Sequence, residues 1–289
     1  MERIETLIVG DVPLVLRSPQ QEHTPAPLIV LWHGFGPPGT EQALSQAVPL
    51  HGLHAYKAYL GLPFFGSRLP AGGLEELRRR QASDYILDLF VPMAEAAMCE
   101  LPAVIDHLCR RFPVQRENGI GIFGFSAGGM ATLLTMAEAE LRIAAAVVCN
   151  APTSLSAPVR NLPHYVWTPE STKAAQRFDM ISRTSDLVRV SLPPALLLLQ
   201  GAKDEYFSQN EILALHRELH PLYQELGAPE RVNVEIIPDL GHHLGAEETS
   251  IANLRVFCSA PVDRATEYWM QRFLATSVAP GQAERHFMQ

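Results

Sequence analysis

The sequence predicts an α/β fold, a mostly parallel central sheet flanked by helices, and three observations carry that expectation. Short apolar runs alternate with longer helical segments along most of the chain. One run, residues 119–123, leads through a glycine-rich turn directly into an apolar helical segment at 129–137. The candidate reactive side chains fall just beyond apolar runs, where open α/β sheets gather their sites.

Taken in order, residues 4–9 and 12–16 read as an opening hairpin around Gly10-Asp11, and the proline-rich stretch 19–27 as a connecting loop. A strand at 27–32, a short helix at 41–50 and a strand at 55–60 follow. Residues 85–112 form a long helical region that Pro92 and Pro102 should kink or divide, because proline lacks the amide a helix interior needs. Beyond residues 119–137 come strands at 143–149 and 192–200, an amphipathic helix at 212–226, an alternating edge strand at 232–237 and a closing helix at 265–274. From Thr276 the chain is polar and expected to fray. The segment 153–190 breaks the alternation with Pro158, Pro163 and Pro169 and a cluster of His164, Tyr165 and Trp167. One domain is expected over 1–289, with its core at 1–152 and 191–275 and a small cap insertion at 153–190, for which a long surface excursion with its own small cluster is the competing reading.

The turn is Gly124-Phe125-Ser126-Ala127-Gly128. A strand, a G-x-S-x-G turn and a helix together make a nucleophile elbow, in which a serine sits on a sharp turn with helix amides beside it. Small residues two positions to either side let strand and helix approach closely. Asp204 follows the apolar run 192–200 through Gly201-Ala202-Lys203 and is the candidate acid, ahead of Asp179 and Asp186, which follow no apolar strand. Strand 232–237 closes in Pro238-Asp239-Leu240-Gly241-His242-His243. His242 is the favoured base and His243 its competitor. An imidazole can take the serine proton and return it to a leaving group, while a carboxylate fixes its tautomer. The chain order Ser, Asp, His differs from that of chymotrypsin-like and subtilisin-like enzymes. His33-Gly34-Phe35-Gly36 ends the strand at 27–32. The amides of Phe35 and Ala127 are the expected oxyanion donors, with the His33 side chain pinning the turn.

At these positions the chain resembles the α/β-hydrolase superfamily over nearly its whole length. Within it, the chain is similar to small bacterial esterases and predicted hydrolases related to dienelactone hydrolases and to prolyl-oligopeptidase catalytic domains. The matching positions are His33-Gly34-Phe35, Gly66-Ser67-Arg68, Gly124 to Gly129, Gly201 to Asp204 and Gly241-His242. The nucleophile is serine rather than the cysteine usual in dienelactone hydrolases, and no β-propeller segment precedes the elbow. The resemblance implies an α/β-hydrolase fold and a serine esterase that needs no cofactor and no metal. Short- to medium-chain carboxylic esters are the expected substrates, passing through an acyl-enzyme. Tyr165 and Trp167 are the expected apolar walls of the acyl pocket. A peptidase or amidase with the same triad, and an inactive ligand-binding protein, are the competing expectations.

Bulk properties agree with an enzyme acting on small molecules. With 289 residues and 47% hydrophobic content the chain can build one large core. A net charge of −8 argues against nucleic acid or an anionic membrane as partner. Residues 1–10 lack the basic start and long apolar stretch of a signal peptide, and no run approaches the ~18 apolar residues of a membrane span, so a cytoplasmic location is expected. Cys99, Cys109, Cys149 and Cys258 form no C-x-x-C pair and are expected to be reduced packing residues. His216 and His220 share a helix face, but the glutamate between them is misplaced for a zinc site, so a solvated face is expected. His51 and His54 read as loop residues.

Overall fold

The computed structural model describes residues 2–274 apart from 22–23, 161, 163, 251–252 and 258. Pro163, Cys258 and the segment from Thr276 therefore lie outside the described residues.

The opening hairpin forms as expected. β1 (Arg3–Val9) and β2 (Val12–Ser18) pair antiparallel around Gly10, whose φ of 59° suits a residue without a Cβ. Then come β3 (Ala26–Trp32), α1 (Glu41–Ala47) and β4 (Tyr56–Leu60). The Thr40 side chain caps α1 by accepting the Ala43 amide, and the helix stops before Leu50, which turns to a φ of 52°.

α2 (Gly73–Asp84) is a helix the apolar pattern does not announce, because none of its residues is buried and its sequence is rich in Glu and Arg. Asp84 ends it in an extended conformation, while its Oδ1 accepts the Ile86 and Leu87 amides at 2.9 Å and opens a π-helical turn, Tyr85–Phe90. That turn runs into α3 (Val91–Arg111). Pro92 sits where the π-helical turn passes into α3, and the Asp88 carbonyl, which a residue-92 amide would serve in a continuous α-helix, accepts from Arg80 instead. Pro102 does not divide the helix as expected. Leu101, Val104, Ile105 and Leu108 around it are buried, and their packing outweighs the bond it removes.

β5 (Val114–Gln115), β6 (Ile120–Phe125), α4 (Ala127–Glu138) and β7 (Ile143–Cys149) follow. The stretch between Thr153 and Val190 carries three short helices, α5 (Ser156–Val159), α6 (Pro169–Arg177) and α7 (Thr184–Leu187). It is fastened to the rest of the protein. Leu155, Phe178, Met180 and Leu187 are buried in the same apolar cluster as α3 and α4, and Arg177 and Arg183 both pair with Glu138 at the end of α4. The chain continues through β8 (Ala195–Gly201), α8 (Gln209–Glu225) and β9 (Val232–Ile237). A hairpin of β10 (Gly245–Ser250) and β11 (Asn253–Phe257) precedes the last described helix, α9 (Ala260–Phe273).

The main sheet has the order β1-β2-β4-β3-β6-β7-β8-β9, with β5 beside β3. From β4 to β9 every neighbouring pair is parallel. β3, β6, β7 and β8 are buried throughout, as strands covered on both faces must be, while β9 alternates as an edge strand. One face packs under α3, α4 and α8, and the other under α1 and α9. Strand order reverses between β3 and β6, which opens a crevice at their carboxyl ends.

Other expectations change in detail. Cys149 is buried and Cys109 half-buried, but Cys99 is exposed on α3 rather than placed in the core. His216 and His220 are half-buried rather than solvated, with ring centroids 5.6 Å apart. Among the described residues no helix is long and apolar enough to cross a membrane.

Candidate active site

Ser126 stands at the first turn after β6 with φ 53° and ψ −118°, a conformation that costs a non-glycine residue roughly 1–3 kcal/mol. The glycines around it are required by contact. A Cβ on Gly124 would lie 2.2 Å from the Gly128 carbonyl oxygen, and one on Gly128 would lie 2.4 Å from the His33 carbonyl oxygen. Strand, elbow and helix can close on one another only without those atoms. Ala127 to Ala137 are all buried, so the elbow is braced by the core beneath it.

The three residues expected to act together do meet. The Ser126 hydroxyl lies 3.0 Å from His242 Nε2, and His242 Nδ1 lies 2.9 Å from Asp204 Oδ2. His242 is 6% exposed and flanked by the rings of Phe125, Tyr206 and Phe207. Asp204 has both oxygens occupied. Oδ1 accepts the Tyr206 and Phe207 amides, and Oδ2 accepts from Gln200 Nε2 as well as from His242. Burial alone would raise the Asp204 carboxyl, but its bond to His242, the charge there and the two amides hold it below its ordinary value. His243 turns elsewhere, against Tyr206, Phe257 and the Gly36 turn.

The strand exits are bonded sideways in sequence. The Ser126 amide donates to the Cys149 carbonyl, the Asn150 amide to Leu199, the Ala202 amide to Ile237 and the Lys203 amide to Leu240. Asn150 is a site residue that the sequence reading does not include. It is fully buried at φ 45°, a conformation asparagine tolerates. Its Oδ1 accepts the Gly201 amide at 2.7 Å, while Nδ2 donates to the Gly241 and His242 carbonyls at 2.8 Å. One side chain therefore ties together the exits that carry Asp204 and His242. The available signal is its position, immediately after an apolar strand.

The turn after β3 lies against Ser126, since a Cβ on Gly34 would come 2.7 Å from the Ser126 Cβ. His33 fixes that turn. Its Nε2 accepts the Leu62 amide at 3.0 Å, leaving the ring proton on Nδ1 for the Gly34 carbonyl at 2.7 Å. Complete burial lowers its pKa to about 4 against the opposing Gly34 bond, so the ring is neutral at pH 7. The Phe35 ring stacks on Phe65 at 4.0 Å. Ala127 opens α4, so its amide belongs to the first turn, which has no intrahelical acceptor.

Tyr165 and Trp167 meet each other edge to face at 5.2 Å, and the Tyr165 hydroxyl donates to Asp84. Tyr165 lines a surface groove of about 480 Å³ whose lining does not include the triad residues. Rings link the two places, from Tyr85 in that groove to Phe90 and from Phe90 to Phe35. Among the described residues no cluster of three or more His, Cys, Asp or Glu side chains has a metal-binding arrangement.

Comparison with known proteins identifies the fold and the family. The chain resembles TT1662 from Thermus thermophilus at 17% identity and a TM-score of 0.68, over 96% of this chain and 99% of that one. Ferulic acid-bound Est1E from Butyrivibrio proteoclasticus aligns at 14% identity and 0.61, over 94% and 100%. An acylaminoacyl peptidase from Pyrococcus horikoshii aligns at 15% and 0.59, over 97% of this chain and 43% of that one. These likenesses show the α/β-hydrolase fold. No curated protein matches the sequence. The model of the prolyl oligopeptidase family matches residues 93–258, more than half of the chain, which therefore belongs to that family and is a serine hydrolase of α/β-hydrolase type.

Proposed function

We propose that the protein is a carboxylesterase that cleaves short- to medium-chain carboxylic esters through an acyl-enzyme. The observation that carries this reading is the continuous hydrogen-bonded series Ser126–His242–Asp204 on a strained elbow. Ser126 Oγ attacks the ester carbonyl as its proton passes to His242 Nε2. Asp204 holds the imidazole in the required tautomer and stabilises the imidazolium. The Phe35 and Ala127 amides receive the oxyanion. The imidazolium gives its proton to the departing alkoxide, which leaves as the alcohol. Water then repeats the sequence on the acyl-enzyme and releases the acid. Est1E, which aligns over 94% of this chain, is solved with ferulic acid bound, and a carboxylic acid is what ester hydrolysis releases.

A peptidase or amidase using the same groups is the second reading, favoured by the family and by the acylaminoacyl peptidase likeness. A panel of nitrophenyl esters of increasing acyl length beside aminoacyl amides separates the two. Esters should turn over well and amides poorly, and the reverse order would overturn the ester reading.

In the same proposal Tyr165 and Trp167, within the cap at 153–190, meet the longer acyl chains. The ring series Tyr85–Phe90–Phe35 connects the groove lined by Tyr165, whose ring meets Trp167, to the turn after β3. Each methylene covered there is worth about 0.8 kcal/mol. Trp167→Ala should move the optimum of the ester series without changing turnover of the shortest ester. An unchanged series would remove Trp167 from the acyl side.

A further inference from the structure

We propose that a cleft at the amino ends of β7, β8 and β9 is a binding site for an organic anion, a carboxylate or phosphate head carried on an apolar body. The cleft holds about 890 Å³, the size of a small-molecule site, and lies about 20 Å, one strand length, from the carboxyl ends that carry Ser126 and Asp204. Four arginines line it: Arg142, Arg189, Arg231 and Arg272. Glu140 is the one carboxylate in the lining, in a chain whose net charge is −8. Such a cluster is out of character for this protein.

None of the four guanidinium groups makes a salt bridge among the described residues. Arg142 donates to the Glu117 carbonyl, Arg189 to Ala139, and Arg231 to Pro193 and Ala144. Arg231 and Arg272 lie over the Phe273 ring at 5.1 and 4.8 Å. Burial lowers Arg231 from its ordinary value, against weak support from Tyr223 and Glu230, so an anion placed beside it would relieve that cost. Elsewhere many arginines pair with carboxylates, among them Arg68 with Glu100, Arg177 with Glu138 and Arg183 with Asp186. Among the described residues Arg78, Arg110, Arg217 and Arg264 do not, but they stand apart from this cleft, which gathers four such arginines around one space.

The second half of the argument is apolar. Met136, Leu187, Leu192 and Phe273 line the same space, and Leu192 is 58% exposed. Planar guanidinium forks match a carboxylate or phosphate head, and the apolar wall accepts the body attached to it. Inorganic phosphate would use only the first, and a neutral lipid only the second.

Isothermal titration of the full chain with decanoate, decyl phosphate, decanol and inorganic phosphate tests the assignment. At least one of the two charged amphiphiles should bind below about 1 mM, and both neutral decanol and bare phosphate should bind at least about tenfold more weakly. Arg142→Gln with Arg272→Gln, both exposed positions, should weaken that binding about tenfold or more, while Arg142→Lys with Arg272→Lys keeps most of it. Leu192→Glu provides a second test that spares the arginines, and should weaken the same ligand by like charge. Failure of both amphiphiles to bind, equal binding of decanol, or indifference to the Arg142→Gln/Arg272→Gln and Leu192→Glu changes would each overturn the proposal. Decanoate held near Ser126 as a product of ester hydrolysis would bind unchanged in the Arg142→Gln/Arg272→Gln and Leu192→Glu proteins, so the variants separate this proposal from the esterase reading.

Discussion

The two ends of the parallel strands are built from the same β-ladder and finished in opposite ways. At the carboxyl ends of β6, β7 and β8, each exit is bonded to its neighbour, and Asn150 and Asp204 use every side-chain nitrogen and oxygen. At the amino ends, four arginines stand without carboxylate partners around an open cleft. The difference teaches what each end is suited to. A group that must hold a proton within a fraction of an ångström is over-determined by its surroundings. A group that receives a ligand keeps part of its bonding capacity, here its pairing with a carboxylate, unspent.

The strongest way to test this contrast is to strike one end and then the other. Ser126→Ala should lower kcat for a nitrophenyl ester by roughly 10⁴ or more, with folding retained. His242→Ala should match it, and His243→Ala should keep substantial activity, since only His242 bridges Ser126 and Asp204. Arg142→Gln at the far end should leave the same turnover near wild type. Saturating-ester rates for the four variants decide it, and a collapse with Arg142→Gln would erase the contrast.

The next effect concerns stability and acid. His33 has a folded-state pKa of about 4 against 6.5 when exposed, so between those values the unfolded chain binds the proton first. The stabilisation is complete above about pH 6.5 and is lost as pH falls toward 4. Its size is on the order of 3 kcal/mol. Urea unfolding of wild type and His33→Gln from pH 7 to 4 should show a shallower acid slope in the variant. Parallel slopes would mean that His33 is not held neutral.

The smallest effect tests Asn150 as a positioning residue. Asn150→Asp keeps the acceptor for the Gly201 amide and the tolerance of positive φ, but loses the donors to the Gly241 and His242 carbonyls. We expect kcat to fall about 10- to 100-fold with KM little changed. An unchanged kcat alongside a lowered unfolding midpoint would make the residue purely structural.

These residues differ in how openly the sequence displays them. Ser126, Asp204 and His242 can be read because each follows an apolar strand or its closing turn, and because glycines mark the close approaches. Asn150 also follows such a strand, yet its function lies in reaching carbonyls that strand order alone brings near. α2 is hidden because it buries no stripe, so helical periodicity has nothing to mark. Pro102 misleads because local propensity says break, while the buried residues beside it hold α3 together. Strand boundaries come closest to expectation in β7 and β9, where apolar residues or strict alternation define both ends.

The sideways bonding of the strand exits also sets when the serine becomes dangerous. Ser126 is synthesised 116 residues before His242, and Asp204 38 residues before it. A nascent chain therefore carries an ordinary hydroxyl, because the elbow's amide has no Cys149 carbonyl to hold until β7 docks, and the imidazole arrives only behind β9. β9 is the outermost parallel strand and pairs with β8 alone. In the proposed mechanism, docking of that strand arms the protein, and peeling it away would disarm Ser126 without touching a single atom of it.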